Sequence, residues 1–145
     1  MGALALLLGS VCLSAPVSYG PPPTAGNAPN VPWVRSGAVV GYLFYYGATG
    51  PWQQQRDRVL IPVGGSGPGF SSKILWYVPG GGGRITIWGR RLDGSGTSVS
   101  VQRIGGSAGG GYFPTITVVP NAGCWRLTVG SGRRSARFAF VAVDL

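Results

Sequence analysis

The chain has 145 residues, with 12 Lys and Arg, three Asp, no Glu and no His, and its net charge is +9. General acid–base catalysis normally needs His or paired carboxylates, and metal sites normally need several His, Cys, Asp or Glu ligands. The three acids, Asp57, Asp93 and Asp144, are scattered along the chain. We therefore expect no enzyme activity, no metal site and no cofactor.

Glycine and proline are abundant, with 27 and 12 residues, and such levels also occur in disordered chains. Hydrophobic residues nevertheless make up 44% of the chain and fall in short, regular runs. Most of the glycines and prolines lie between these runs, where turns belong. This pattern favours one domain of many short strands joined by turns.

Residues 1–15 resemble a secretory signal peptide, because an apolar core is followed by small residues. No Lys or Arg precedes Arg35, so the positively charged start of such a signal is missing. Either translation begins upstream of Met1 or the signal is atypical. The apolar stretch is shorter than the roughly 20 residues that a membrane-spanning helix needs. We therefore expect a protein that is secreted or held in the cell envelope, in the periplasm or at the surface.

Cys12 lies at the end of this stretch and is a candidate lipid-attachment site of a bacterial lipoprotein. Val11 precedes it, at a position where such signals usually carry a small residue, and the alternative is that Cys12 is removed with the signal. Cys124 would then remain as a single cysteine, buried or reactive. A bridge between Cys12 and Cys124 requires that Cys12 is retained, and a flexible tail between them argues against it.

Residues 16–36 are predicted to form a linker that is rich in proline. The chain from 16 to 32 carries no charge and has neither a strand nor a helix period. The three consecutive prolines at 21–23 favour an extended conformation. The domain itself is predicted to span residues 37–145.

Eight apolar runs, separated by turn signals, follow the linker. They span residues 38–46, 58–63, 73–78, 84–90, 97–104, 114–119, 124–129 and 136–143. In several runs β-branched or aromatic residues alternate with polar ones, which indicates strands with one wet face and antiparallel pairing. About seven to eight such strands predict an all-β fold, an antiparallel β-sandwich, and a closed barrel is the alternative architecture.

The most distinctive motif surrounds Cys124, where the chain reads Pro-Asn-Ala-Gly-Cys-Trp-Arg-Leu-Thr-Val. In a strand that begins at Cys124, the side chains of Trp125, Leu127 and Val129 share one face. Trp125 is therefore predicted to anchor the core between the two sheets. A nucleophilic Cys124 would need a His partner, and the chain has no His, so we predict a structural cysteine.

Together with Trp-Gly-Arg-Arg-Leu-Asp at 88–93 and Phe-Pro at 113–114, this Gly-Cys-Trp motif resembles a domain of uncharacterised bacterial secreted proteins and lipoproteins. The resemblance covers about residues 73–143. It implies export and an immunoglobulin-like sandwich. It implies no ligand and no activity, and so it transfers no functional residue.

Trp88, Arg84, Arg90 and Arg91 form a candidate ligand surface. Alternation puts Trp88 on the polar side of its strand with Arg84 and Arg90, where an exposed indole can stack on a sugar ring or a base. Alternatively, Trp88 packs under a loop or pairs with an arginine through a cation–π contact. The positive charge itself can also be no more than a soluble cationic surface.

We expect an exported, envelope-associated module with a structural or binding role and without catalysis. The alternative is a module that binds an acidic or carbohydrate polymer at the cell surface. The glycine-rich stretches lack the Gly-Lys-Ser/Thr of a phosphate-binding loop, and no serine hydrolase motif is present. The expected partner is another envelope protein or such a polymer, not a specific nucleic acid, and membrane contact would require a lipid on Cys12.

Overall fold

The computed structural model describes residues 12, 16–24, 30–47, 52, 57–93 and 109–145, and the backbone of 98–105. Within these residues the strands are β1 (Trp33–Ser36), β2 (Val39–Leu43), β3 (Leu60–Pro62), β4 (Ser66–Gly67), β5 (Phe70–Ser71), β6 (Lys73–Tyr77), β7 (Arg84–Arg91), β8 (Ser98–Gly105), β9 (Tyr112–Ile116), β10 (Gly123–Ser131) and β11 (Arg134–Val143). One 3-10 turn, Phe44–Gly47, follows β2. The described part of the chain contains no helix that is long and apolar enough to cross a membrane.

The strands form two main sheets, which confirms the predicted all-β antiparallel sandwich. Sheet A has the strand order β1-β2-β6-β9, and sheet B has the order β3-β11-β10-β7-β8. All pairs in these sheets are antiparallel except one, because β3 runs parallel to β11 at the edge of sheet B. Strands β4 and β5 form a separate two-stranded hairpin. Each of the eight predicted runs overlaps a strand, and β1, β4 and β5 are additional short strands.

The two sheets meet across a core of large aromatic and aliphatic side chains. Trp76 of β6 contacts Phe138 and Phe140 of β11, with ring centroids 5.1 and 6.4 Å apart. The indole N–H of Trp76 donates to the hydroxyl oxygen of Thr117 at 3.3 Å, so its polar atom is satisfied inside the core. Gly41 on the neighbouring strand makes room for this ring, because an added Cβ would lie 2.7 Å from it.

Alternation along sheet B follows the prediction. Ile85 and Ile87 of β7 are buried, and so are Trp125, Leu127 and Val129 of β10. Their side chains belong to the main core cluster between the sheets. The residues between them therefore face outward and give sheet B one wet face.

The sandwich begins before residue 37, inside the predicted linker of residues 16–36. Trp33–Ser36 is strand β1 and pairs with β2. Upstream, Ser18 and Trp33 exchange two backbone hydrogen bonds of 2.8 and 2.9 Å, and Val17 is buried in the main core. A segment without a strand or helix period can still be ordered by two backbone hydrogen bonds and one buried apolar side chain. A sequence pattern does not reveal such contacts. We call residues 16–24 the N-terminal strap.

The N-terminal strap also covers part of the outer face of sheet A, where a second apolar cluster surrounds Tyr42 and Tyr112. The hydroxyl of Thr24 is hydrogen-bonded to the hydroxyl of Tyr42. The hydroxyl of Thr24 also accepts a hydrogen bond of 2.9 Å from the hydroxyl of Tyr112. The indole N–H of Trp33 donates to the carbonyl of Gly20 at 3.2 Å. The strap thus replaces water as the hydrogen-bonding partner of these side chains.

Cys12 and Cys124 form a disulfide, and their Cα atoms are 5.6 Å apart. The sequence predicts a flexible tail after Cys12, and this is wrong for the described residues 16–24, because Val17 is buried in the core and Ser18 is hydrogen-bonded to Trp33. A sulfur atom in a disulfide cannot form a thioether to a lipid, so Cys12 is not available for lipid attachment in this structure. Apart from Cys12, the predicted signal segment of residues 1–15 lies outside the described residues.

Reduction of the disulfide is expected to lower the free energy of unfolding by up to about 5 kcal/mol, since a cross-link that closes a loop of ~100 residues constrains the unfolded chain by about this amount. The measurement is urea unfolding of the protein with and without a reductant. The double variant Cys12→Ser with Cys124→Ser is the control and should be insensitive to the reductant. An unfolding midpoint of the unmodified protein that the reductant leaves unchanged would contradict this assignment.

Candidate functional site

The outer face of sheet B carries the outward residues of β7. Arg84, Thr86, Trp88 and Arg90 are all exposed, and Trp88 keeps 43% of its surface accessible. An exposed tryptophan is unusual, since this side chain is highly buried on average. The alternation of the sequence predicts this exposure, and the structure agrees with it.

Residues of β10 and β11 join these side chains through the strand register. Thr128 is opposite Trp88, and Arg126 is opposite Arg90. Arg137 of β11 is in turn opposite Thr128 and is exposed. Directly opposite residues have Cβ atoms only about 4.5–5.5 Å apart, so Trp88 lies within a group of arginines. We call this group the basic face, and it consists of Arg84, Trp88, Arg90, Arg126 and Arg137.

Arg91, which the sequence grouped with Trp88, does not belong to the basic face. It follows Arg90 directly and therefore points to the other side of β7, where its Nε donates to Oδ1 of Asp93 at 2.9 Å. The same oxygen accepts the backbone N–H of Cys124 at 3.1 Å. Burial by itself would raise the pKa of Asp93, but the hydrogen bonds from Arg91 and Cys124 outweigh it and lower this pKa. The guanidinium of Arg91 thus pairs with a carboxylate of the same fold.

The contacts that Asp93 makes near Cys124 help to explain the Gly-Cys-Trp motif. Gly123 has a φ of 132°, and a Cβ added there would lie 2.8 Å from the carboxylate of Asp93. Cys124 forms the disulfide to Cys12. Trp125 is buried in the core, and its indole N–H donates to a backbone carbonyl of the preceding turn at 2.8 Å. Each residue of the motif therefore has a structural role.

Three arginines of the basic face are without a carboxylate partner in the part of the chain that the structure describes. Arg84, Arg126 and Arg137 make no ion pair with any carboxylate among the described residues. Three Asp cannot balance 12 cations, and one of the three is already committed to Arg91. Like charges on adjacent strands repel one another, so the packing of the core beneath holds them together. The result is a surface of positive potential, which attracts anions.

A separate cavity of about 350 Å³ lies beside the 3-10 turn and is lined mainly by Phe44, Tyr45, Phe70 and Lys73. The ammonium group of Lys73 lies 5.0 Å from the centre of the Phe44 ring. The residues that line this cavity include no carboxylate. Among the described residues, no group of three or more His, Cys, Asp or Glu is placed to hold a metal ion.

Asp93→Asn is expected to lower the free energy of unfolding by about 1 kcal/mol at pH 7, because Arg91 and the Cys124 amide lose a charged acceptor. Since folding lowers the pKa of Asp93, its carboxylate stabilises the fold above the unfolded pKa of about 4. That contribution is lost as the pH falls through the lower, folded pKa. Urea unfolding of both proteins between pH 2 and pH 7 measures the difference between their free energies of unfolding. The difference should shrink toward acid pH, and an equal difference at both ends of the range contradicts the role of the carboxylate.

No protein-family model and no curated protein sequence matches this chain. Among solved structures, the chain resembles a candidate lipoprotein from Bacillus anthracis with a TM-score of 0.46 and 14% sequence identity, over 88% of this chain and 88% of that chain. This similarity transfers no fold, site or function to the chain.

Proposed function

We propose that this protein is an exported module of the cell envelope that binds an anionic polymer through the basic face and carries out no catalysis. The observation that supports this most strongly is the exposed Trp88 among arginines of three adjacent strands. Guanidinium groups form charge-assisted, often bidentate hydrogen bonds to anionic oxygens. An aromatic ring between them adds a flat apolar surface for a sugar or another ring.

The spacing of the arginines suits a polymer with repeated negative charges. Neighbouring strands are about 4.8 Å apart, and outward residues along one strand repeat about every 6.7 Å. Arg90 and Arg126 are directly opposite each other, and Arg137 lies one strand further on. An extended polymer that crosses the strands would therefore meet several guanidinium groups in succession. Each contact would release counterions, so binding should weaken as salt rises.

Export is supported by the disulfide between Cys12 and Cys124. Such bonds form and persist in oxidising compartments and are rare where thiols are kept reduced. The bond also sets a condition on processing, because a signal cut after residue 15 would remove Cys12 and leave Cys124 unpaired. Export and an intact disulfide together require that any cleavage occurs on the N-terminal side of Cys12.

A non-catalytic role is supported by the chemistry that the chain carries. It has no His, and Asp93 is already bound to Arg91 and to a backbone amide. A protein partner in the envelope is the alternative to a polymer.

The variant Arg126→Gln with Arg137→Gln is expected to elute from an immobilised sulfated polysaccharide at lower salt than the unmodified protein. The reason is that two contacts to anionic groups, and the counterions that they release, are lost. The matched control is Arg35→Gln with Arg58→Gln, which removes the same charge from exposed positions outside the basic face. Equal shifts for both variants would mean that only net charge matters, and this would contradict a defined binding face.

Trp88→Ala is expected to weaken binding to the same sulfated polysaccharide, by about 1–3 kcal/mol if one ring stacks on the indole as bases do on aromatic side chains. Binding to inorganic polyphosphate, which has no ring, should change little and serves as the control. Because Trp88 is 43% exposed, the free energy of unfolding should fall only slightly. A large loss of stability, or an equal loss of affinity for both polymers, would contradict a stacking role.

A further inference from the structure

A concave pocket lies at one end of the basic face, at the hairpin between β10 and β11, and the side chains that line it are polar. Its volume is about 310 Å³. It is lined by Arg84 and Thr86 of β7 and by the hairpin residues 130–135, which include Arg133 and Arg134. The three arginines are exposed, and neither an apolar side chain nor a carboxylate contributes to the lining.

The pocket is built on a fixed turn. Ser131 and Arg134 pair at the end of the hairpin, which leaves Gly132 and Arg133 as the two turn residues. Gly132 has a φ of 58°, and a tight hairpin turn of this kind needs a residue that adopts such a conformation readily. The turn is also tied to the start of β7. The buried hydroxyl of Ser131 donates to the carbonyl of Gly82 at 3.2 Å and is hydrogen-bonded to the carbonyl of Arg84.

The electrostatics of the pocket favour an anion. Arg84, Arg133 and Arg134 make no ion pair with a carboxylate among the described residues. Asp93 is held at Cys124, and the rise of a strand places Cys124 about 23 Å from Ser131 along β10. No group of opposite charge lines the pocket to offset the repulsion between the three guanidinium groups, and a bound anion would do so.

The number of arginines distinguishes between kinds of anion. A carboxylate presents two oxygens, whereas a phosphate or sulfate ester presents three or more around a tetrahedral centre. Guanidinium groups bind such tetrahedral oxyanions through parallel N–H donors. Three arginines that approach from two elements, β7 and the hairpin, match a tetrahedral group better than a planar one.

We infer that this pocket binds a phosphate or sulfate group, carried by the polymer that the basic face is proposed to hold. The link to a polymer rests on the proposed function, whereas the pocket stands on its own lining. The basic face would then supply stacking and general attraction, and the pocket would select polymers with tetrahedral oxyanions over those with carboxylates alone.

The test is a titration of ¹⁵N-labelled protein with inorganic phosphate, followed by NMR at constant ionic strength, with sulfate, acetate and dimethyl phosphate as parallel probes. We expect saturable shifts of the amides at 130–135 with phosphate or sulfate, and weaker binding of acetate. Arg133→Gln with Arg134→Gln should weaken phosphate binding roughly tenfold or more, because charge-assisted hydrogen bonds are lost. Arg35→Gln with Arg58→Gln is the control of equal charge and should bind phosphate as the unmodified protein does.

Dimethyl phosphate identifies the source of the group. Binding as tight as that of inorganic phosphate points to a phosphodiester within a chain, and weaker binding points to a terminal ester. Acetate that binds as well as phosphate, the absence of saturable shifts, or unchanged binding in the Arg133→Gln, Arg134→Gln protein would overturn the inference. Phosphate binding that persists while the unmodified protein is not retained on the sulfated polysaccharide would refute only the proposed function.

Discussion

The packing of Trp76 between the two sheets is the contact on which the rest of this structure depends. Its ring touches Phe138 and Phe140 of the opposite sheet and needs the missing side chain of Gly41 beside it. Because side chains alternate along a strand, the inward position of Phe138 obliges Arg137 to face outward. The same rule on β7 and β10 turns Trp88 and Arg126 outward, so the basic face is a consequence of the core.

The two outer faces of the sandwich differ in what covers them. On sheet A, the N-terminal strap covers an apolar cluster and exchanges hydroxyl hydrogen bonds with Tyr42 and Tyr112. Upstream of the strap, Cys12 reaches β10 of sheet B through its disulfide to Cys124. The N-terminal segment thus connects both sheets. The described outer face of sheet B is rich in arginine, and the proposed binding function belongs to it.

Local patterns predicted much of this fold, and the misses have two causes. Alternation identified the eight main strands, the burial of Trp125 and the exposure of Trp88, since each depends on neighbouring residues alone. Arg91 was grouped with Arg90 because they are adjacent in sequence, although successive residues of a strand face opposite ways. Arg137 and the disulfide could not be predicted, because strand register and the path of the N-terminal strap depend on contacts between distant residues.

The most direct test of the account is to follow the indole N–H signals of the protein by NMR while a short sulfated oligosaccharide is added. Trp88 belongs to the basic face, whereas Trp76 and Trp125 are buried in the core. The account predicts that the Trp88 signal shifts saturably with the amides of outward residues on β7, β10 and β11, while the two core indoles stay in place. Shifts confined to sheet A and the N-terminal strap, with Trp88 unaffected, would contradict a binding face on sheet B.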